Sequence, residues 1–351
     1  MAVDFSYPNA RIRAMRSHLF DHDFYHKLLE IEETPGLISA FQQTIYQSHI
    51  EEGTLKYPGT LGVEEAFRKN ITETFTKILN MVDGQVKELV EVLLGRWDVH
   101  SLKTILRGKN VGASTEEIID SLIPAGQLSE IFLTELAKQP DIKAVIDLLV
   151  MARTPYAKPL SNAFPHYAQN KNLVRLELAL DEFFYSYALE RTSVRLFDAQ
   201  LVHQVLKREI DVINVMTILR MVQQKVKEQD KVLFFIEGGK YIDRELFVDL
   251  VENQDVEGVI HKLEKTPYGA VLKEAQGKFM ETGALSVIER SLEKLQVRQN
   301  TKLFRADPLS IALIIAYIWA KYNEIINLRI IVRGKALGMP SQKIKEDLVL
   351  V

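Results

Sequence analysis

The chain contains no cysteine. That excludes disulfide bonds, cysteine-held zinc and a thiol nucleophile, and it fits a reducing interior. Neither sign of charge dominates: 44 Lys and Arg against 47 Asp and Glu leave a net charge of −3. Such a balance gives no whole-chain drive toward nucleic acid or anionic lipid. Long hydrophobic runs are missing too. The most apolar stretch, residues 309–320, is 12 residues long, whereas a membrane span needs roughly 18–20; it reads as a buried core helix. Residues 1–16 are charged and have no continuous apolar region, so no signal peptide is expected and the default location is cytoplasmic. The motifs of common chemistry are also lacking. Gly108-Lys-Asn-Val-Gly112 stops short of a phosphate loop, and there is no His-Glu-x-x-His, no Gly-x-Ser-x-Gly and no Rossmann glycine set.

What the chain does have is repetition. Asp98-Val-His-Ser-Leu-Lys-Thr-Ile-Leu-Arg107-Gly-Lys109 returns as Asp211-Val-Ile-Asn-Val-Met-Thr-Ile-Leu-Arg220. It returns again as Glu324-Ile-Ile-Asn-Leu-Arg-Ile-Ile-Val-Arg333-Gly-Lys335, so that the copies open at the evenly spaced positions 98, 211 and 324. The acid, the apolar positions and the terminal arginine keep their places. Val99, Leu102 and Leu106, with their counterparts Val212, Val215, Leu219 and Ile325, Leu328, Val332, fall at i, i+3, i+7 and line one face of a helix. A fixed period this long marks a repeated supersecondary unit. Hydrophobic content of 47% with 26% charged residues suits a globular protein. The fold class expected is all-α, in three helical modules at 1–120, 121–235 and 236–351. The one strand candidate, residues 231–236, reads equally well as a helical turn.

Other features recur around this frame. Thr34-Pro35, Thr154-Pro155 and Thr266-Pro267 each follow a helical stretch, and proline there can stop one helix and begin the next. Val63-Glu64, Leu176-Glu177 and Ile288-Glu289 recur at almost the same interval as the main repeat. Arg107 and Arg333 each precede a glycine, which suits a residue just past a helix end, and a cation there complements the helix dipole. In the second copy Met221 replaces the glycine, so that helix is expected to run on or end differently. Asp307 is expected to cap the last long helix, with Pro308 in its first turn and Gly334 just beyond its end. Ser114-Thr115 and Ser341 begin a short helix after the first and last copies.

His18, His22 and His26 have the i, i+4, i+8 spacing of a ligand ladder. Asp21-His-Asp23 between Phe20 and Phe24 reads better as a turn with an N-cap, which separates the imidazoles. Paired carboxylates such as Glu32-Glu33, Glu51-Glu52 and Glu116-Glu117 read as solvated residues. The Arg-Gly-Lys pieces lie at predicted helix C-termini, where anions are disfavoured. Arg107, Arg220, Arg333 and Lys335 therefore read first as helix-end residues and second as partner contacts. No catalytic, cofactor or metal residue stands out.

The run Tyr322-Asn-Glu324-Ile-Ile-Asn327-Leu-Arg329-Ile-Ile-Val-Arg333-Gly-Lys335, followed by Gly338-Met-Pro340, resembles the C subunit of archaeal and bacterial A/V-type ATP synthases, a family that includes the d subunit of vacuolar ATPases. Tyr7-Pro-Asn9-Ala-Arg11-Ile-Arg13-Ala-Met15 is similar to that family's N-terminal helix. Leu176-Glu-Leu-Ala-Leu-Asp181-Glu-Phe-Phe-Tyr185 is similar to its central segment. Met221 departs from the Arg-Gly pattern. The resemblance implies a funnel-shaped, pseudo-threefold, all-helical body on the rotor. It would be a non-catalytic socket between the central shaft, made of the D and F subunits, and the membrane ring of proteolipid subunits. It would be seated on the cytoplasmic face and peripheral to the membrane. The resemblance implies no cofactor, no direct nucleotide binding and no nucleic acid partner. Under it the three repeated arginines would gather toward one end of the funnel. The alternative is a generic all-α repeat scaffold that binds other proteins, although such solenoids usually repeat roughly every 30–50 residues. A cryptic enzyme or nucleic-acid binder would need convergent titratable groups or a basic stripe, and the sequence offers neither.

Overall fold

A computed structural model describes residues 4–225, 232–253 and 255–350. Among the described residues the protein is 76% helical, in 18 α-helices, with no strand. The all-α expectation holds. The chain divides into two units: residues 1–145 with 300–351, and residues 146–299.

Unit 1 begins with α1 (Ser6–Arg16), α2 (His22–Glu30), α3 (Thr34–Phe41), α4 (Gln47–Lys56), α5 (Thr60–Asn80), α6 (Gly84–Val111), α7 (Thr115–Asp120) and α8 (Glu130–Lys138). Helix α9 (Ile142–Met151) leads into unit 2, which continues as α10 (Ala157–Asn170), α11 (Val174–Arg191), α12 (Phe197–Gln224), α13 (Arg244–Val251), α14 (Val256–Leu263), α15 (Gly269–Thr282) and α16 (Leu285–Thr301). The chain then re-enters unit 1 as α17 (Ala312–Ala336) and α18 (Ser341–Asp347).

Side-chain caps set many of the starts. Asp21, Ser129, Asp243 and Asp255 each accept a hydrogen bond from the backbone N–H three residues on, and Ser114 with Glu117 forms a capping box. Each is worth roughly 1 kcal/mol. Asp21 caps α2 as the turn reading anticipated. His18 lies before the helix, but His22 and His26 both lie on it and are exposed.

The core of unit 1 is α17. Residues 310–321 are buried without a break, and α1, α3 and α5 pack against this helix. A helix apolar all round must be covered on every side, and this one is covered by protein. Among the described residues no helix is long and apolar enough to cross a membrane. Beside it α4 and α5 meet backbone to backbone: a Cβ on Gly53 would lie 2.2 Å from the Gly62 carbonyl oxygen. The core of unit 2 is built on α12. Val215, Ile218 and Leu219 pack with Phe247 and Leu250 of α13, Val259 and Leu263 of α14, and Ile288 and Leu292 of α16.

Four expectations change. Gly108 and Gly334 lie inside α6 and α17 rather than past their ends, because a Cβ there would lie 2.4 Å from Ile118 Cγ1 and 2.7 Å from Ile344 Cδ1. The bare backbone lets the next short helix fold down onto the long one. The left-handed residues are Gly112 (φ +71°) and Gly338 (φ +66°). Ala113 and Met339 donate back to the carbonyls of Gly108 and Gly334 at 2.9 and 2.8 Å, which closes a Schellman motif. Helix α12 ends in the same register despite Met221, with Lys225 left-handed at φ 50°. Helix α17 starts at Ala312 rather than at Asp307, whose side chain instead accepts from Leu309 N–H in a tight turn. The strand candidate contains a 3-10 turn at Val232–Phe234; its first residue, Lys231, lies outside the described residues.

The fourth change concerns Thr34-Pro35, which opens α3 and is not the counterpart of Thr266-Pro267. That counterpart is Thr44-Ile45-Tyr46. Thr44 Oγ1 donates to the Phe41 carbonyl at 2.7 Å and accepts from Tyr46 N–H at 3.1 Å. Thr266 does the same with Leu263 and Tyr268, at 2.7 and 3.3 Å. Thr44, Thr154 and Thr266 are then spaced almost as evenly as the main repeat.

Candidate functional site

The repeated positions of α6, α12 and α17 are where the sequence pattern turns into geometry. The acid that opens each copy is buried: Asp98 is 1%, Asp211 0% and Glu324 2% exposed. An ionised carboxylate in such a place must be surrounded by donors. Asp98 accepts from Gln127 N–H and Leu128 N–H, both at 2.9 Å. Asp211 accepts from the N–H groups of Lys240, Tyr241 and Ile242 at 2.9–3.1 Å and from Tyr268 Oη–H at 2.9 Å. Glu324 accepts from Phe20 N–H at 2.8 Å, Tyr46 Oη–H at 2.7 Å and Lys321 Nζ at 2.9 Å. In every case the acid gathers the loop that precedes a capped helix: α8 after Ser129, α13 after Asp243, α2 after Asp21. Gly126 and Gly239 give the carboxylates room, since a Cβ on either would lie 2.2 or 2.4 Å from an aspartate oxygen.

One turn further on, a second polar residue repeats the operation. Ser101 Oγ donates to the Ile123 carbonyl at 3.2 Å. Asn214 donates to the Ile236 carbonyl at 2.8 Å and accepts its N–H at 3.0 Å. Asn327 donates to the Val349 carbonyl at 2.9 Å and accepts its N–H at 3.0 Å. All three partners lie 22 residues downstream. An asparagine side chain pairs with a peptide as another peptide would, so it satisfies a buried extended segment without a strand.

The electrostatics follow from burial. Desolvation pushes the Asp211 carboxyl above its ordinary value, and its hydrogen bonds pull back part of that rise. Burial, then the Glu324 charge, drives the Tyr46 hydroxyl well up; Tyr268 rises for the same reasons beside Asp211. In both units the phenol stays a donor.

The four basic residues singled out from the sequence are engaged internally or bear on a neighbour's charge. Arg333 reaches Glu64 with two nitrogens at 2.5 Å each, and its hydrogen bonds hold that carboxyl below the usual range. Arg220 reaches Glu289 at 2.9 Å. Lys335 Nζ donates to the Leu29 carbonyl at 2.6 Å and to Ser341 Oγ at 2.8 Å. Arg107 is exposed on α6. Burial depresses the pKa of His100, and the charges of Arg107, Arg329 and Lys103 lower it further. The recurring Glu64 and Glu289 are thus ion-pair partners of the recurring arginines, a connection the sequence spacing alone did not make. The anchoring acids were visible as a repeat but their role was not; the constant offset to the clamped peptide was the signal available.

Comparison with known proteins gives this repeat a context. The ATP synthase (C/AC39) subunit family model matches residues 8–347. The chain belongs to that family. It is 33% identical over 352 residues to the A-type ATP synthase C subunit of Methanosarcina acetivorans, covering 99% of this chain and 93% of the relative. Against the C subunit of Methanococcoides burtonii it is 32% identical, covering 99% and 94%, and against that of Haloferax volcanii 30%, covering 98% and 97%. An ATP synthase subunit of this family is a structural member of its complex and not the catalytic one. The buried acids, clamps and ion pairs are accordingly read as framework.

Proposed function

We propose that the chain is the central-stalk (rotor) subunit of an A/V-type ATP synthase, a socket that couples the D–F shaft to the membrane proteolipid ring. It sits peripherally on the cytoplasmic face, held there by the ring. The observation that carries the reading is a family match running nearly end to end, at 30–33% identity to three C subunits. Two physical features support it. An adaptor that transmits torque must resist twist, and each long helix is tied to segments distant in sequence by buried carboxylates and peptide-like clamps. Seating on a membrane ring also requires no membrane-crossing helix of its own. Three modules, with the acid-Ser/Asn pair as the joint of each, are the arrangement we assign to the chain. In it Arg220, Arg333 and Lys335 act as struts, and with Arg107 they mark the helix ends nearest a partner surface.

The test is a pull-down of the tagged chain from its native membranes in mild detergent. Shaft subunits and proteolipid ring are expected together in the eluate. Unrelated partners, with neither shaft nor ring despite intact ATPase in the extract, would replace this reading with a generic helical scaffold.

A further inference from the structure

Two contacts fix the register of α5 against α17 in unit 1. At one end Arg333 holds Glu64 through two nitrogens at 2.5 Å each. At the other, Trp97 of α6 touches both Phe75 and Tyr322, with ring centroids 5.9 and 5.4 Å away. Phe75 follows Glu64 by as many residues as Tyr322 precedes Arg333, so the two helices run antiparallel along this seam. One helical turn in from the Glu64–Arg333 pair, Arg68 therefore stands opposite Arg329. Thr72 follows Arg68 by one further turn.

Two arginines that face each other need negative charge between them, and the nearby carboxylates are taken. Glu64 is bound to Arg333, and Glu65 is bound to Arg68 at 2.6 and 2.8 Å. Glu130 and Asp120 act on Arg68 only after Glu65, and Asp120 is bound to Lys56 at 2.8 Å. Among the described residues Arg329 has no hydrogen-bond or ion-pair partner, and its Nε–H is buried without an acceptor. The Thr72 hydroxyl is buried without a partner as well. Burial pulls the Arg329 guanidinium below its ordinary value; Glu64 opposes that, and Arg333 and Arg68 add to it. Buried donors without acceptors are costly, and one shared acceptor would satisfy both. The repeat itself does not require a cation here, since the counterpart of Arg329 in unit 2 is the buried Met216.

We propose that the seam between α5 and α17 binds a small divalent oxyanion of the phosphate class, held by Arg329, Thr72 and Arg68. Guanidinium groups match the oxygen spacing of such an anion and form charge-assisted hydrogen bonds to it. Arg68 spends three of its five N–H donors on Glu65 and the Leu122 carbonyl, which leaves donors for the anion. The Thr72 hydroxyl donates from the next turn. Size follows from burial: Arg329 Nε and Thr72 Oγ1 are closed to solvent, while Arg329 as a whole is partly exposed. A free anion can settle there, whereas a phosphoryl group fixed to a lipid surface cannot follow it between the helices. The site ties α17 to α5 whether or not the chain is a rotor socket.

The test is calorimetric titration of the full chain with inorganic phosphate at fixed ionic strength, using variants that keep a cooperative thermal melt. Wild type is expected to bind one phosphate saturably. Arg329→Met should weaken that binding at least tenfold and Thr72→Val at least threefold. Arg195→Gln, which removes an exposed cation from unit 2, should stay within twofold of wild type. No saturable binding up to tens of millimolar overturns the proposal. So does binding by Arg329→Met within twofold of wild type, or an equal loss in Arg195→Gln. His100 supplies a second readout, because its ring lies 6.0 Å from that of Trp97. Burial, then the charges of Arg107, Arg329 and Lys103, hold its imidazole below the ordinary value. An anion beside Arg329 should move the His100 titration to higher pH in NMR spectra of the wild-type chain. A titration that phosphate leaves unmoved places the anion elsewhere and overturns the proposal.

Discussion

Glu324 of unit 1 and Asp211 of unit 2 solve one problem in two ways. At the same place on a long helix, unit 1 buries Glu324 against a cation, Lys321, itself 1% exposed. Unit 2 buries Asp211 among three backbone N–H groups and a phenol. Unit 1 places Gly108 and Gly334 under the next helix and Gly112 and Gly338 at the ends; unit 2 has Met221 and a left-handed Lys225 at those positions. What persists is the geometry, the acid catching its loop and the helix ending four residues after the Gly or Met position. The chemistry that supplies it is interchangeable. A long repeat can therefore drift in sequence while its joints stay put.

The comparison breaks most sharply at the acids. Glu324→Gln strands a buried ammonium and is expected to cost about 3–5 kcal/mol, read from urea midpoints. The double variant Lys321→Met with Glu324→Gln should regain at least half of that; no recovery would mean that the pair is not the relevant unit. Asp211→Asn acts on the three backbone N–H groups and the Tyr268 hydroxyl that the carboxylate holds. It puts an amide NH2 among donors, with an expected loss of about 2–3 kcal/mol. The pH dependence also separates an acid buried among neutral donors from one paired with an arginine. The Asp211 carboxyl is held above its ordinary value of 3.8, so the native state binds that proton more tightly than the unfolded chain. Its contribution to stability falls as pH rises through the window above 3.8. Glu64, held below 4.5 by Arg333, contributes above that value and loses its contribution as pH falls below it.

Smaller effects sharpen the contrast at the helix ends. Gly108→Ala pushes a methyl into Ile118 and should cost about 1–2 kcal/mol, whereas Met221→Ala in unit 2 should show no such clash when their melts are compared. Lys225→Gly relieves a left-handed lysine and should stabilise by up to about 1 kcal/mol, seen as a raised Tm. Arg333→Met removes a half-exposed ion pair and should cost less than about 1 kcal/mol. That difference should vanish in 1 M salt, where the screening length is roughly 3 Å.

Much of this was legible in the sequence because it is periodic and local. The evenly spaced repeat, the apolar stripe from Val99 to Leu106 and the cap at Asp21 follow from spacing and side-chain type alone. Gly108 misled because glycine serves two ends: it turns left-handed past a helix, and it also lets another element touch a helix from outside. Only the position of Ile118 decides between them. Thr34-Pro35 misled because proline is conspicuous, whereas Thr44 makes the same backbone contacts as Thr266 with isoleucine in the proline's place. The ion pairs of Arg220 and Arg333 were hidden because each partner lies in a different repeat along the chain. Glu324 was the hardest, since its loop lies near residue 20, far behind it. Sequence periodicity runs forward and does not say that the last copy closes on the first residues.

That closure bears on how the protein is made. Unit 2 is one continuous stretch, 146–299, and its elements emerge from the ribosome already next to their partners. Unit 1 is interrupted. Tyr46 and Glu324 are 278 residues apart, an interval that takes on the order of 15–60 s to synthesise at the usual rates. For that time α2, α3 and α4 lack α17, the helix against which α3 packs and whose Glu324 receives the Tyr46 hydroxyl. Unit 2 is thus free to finish first, while the earliest-made helices stay exposed the longest, and a holding chaperone would find its substrate in the stretch from α2 to α4 of the nascent chain.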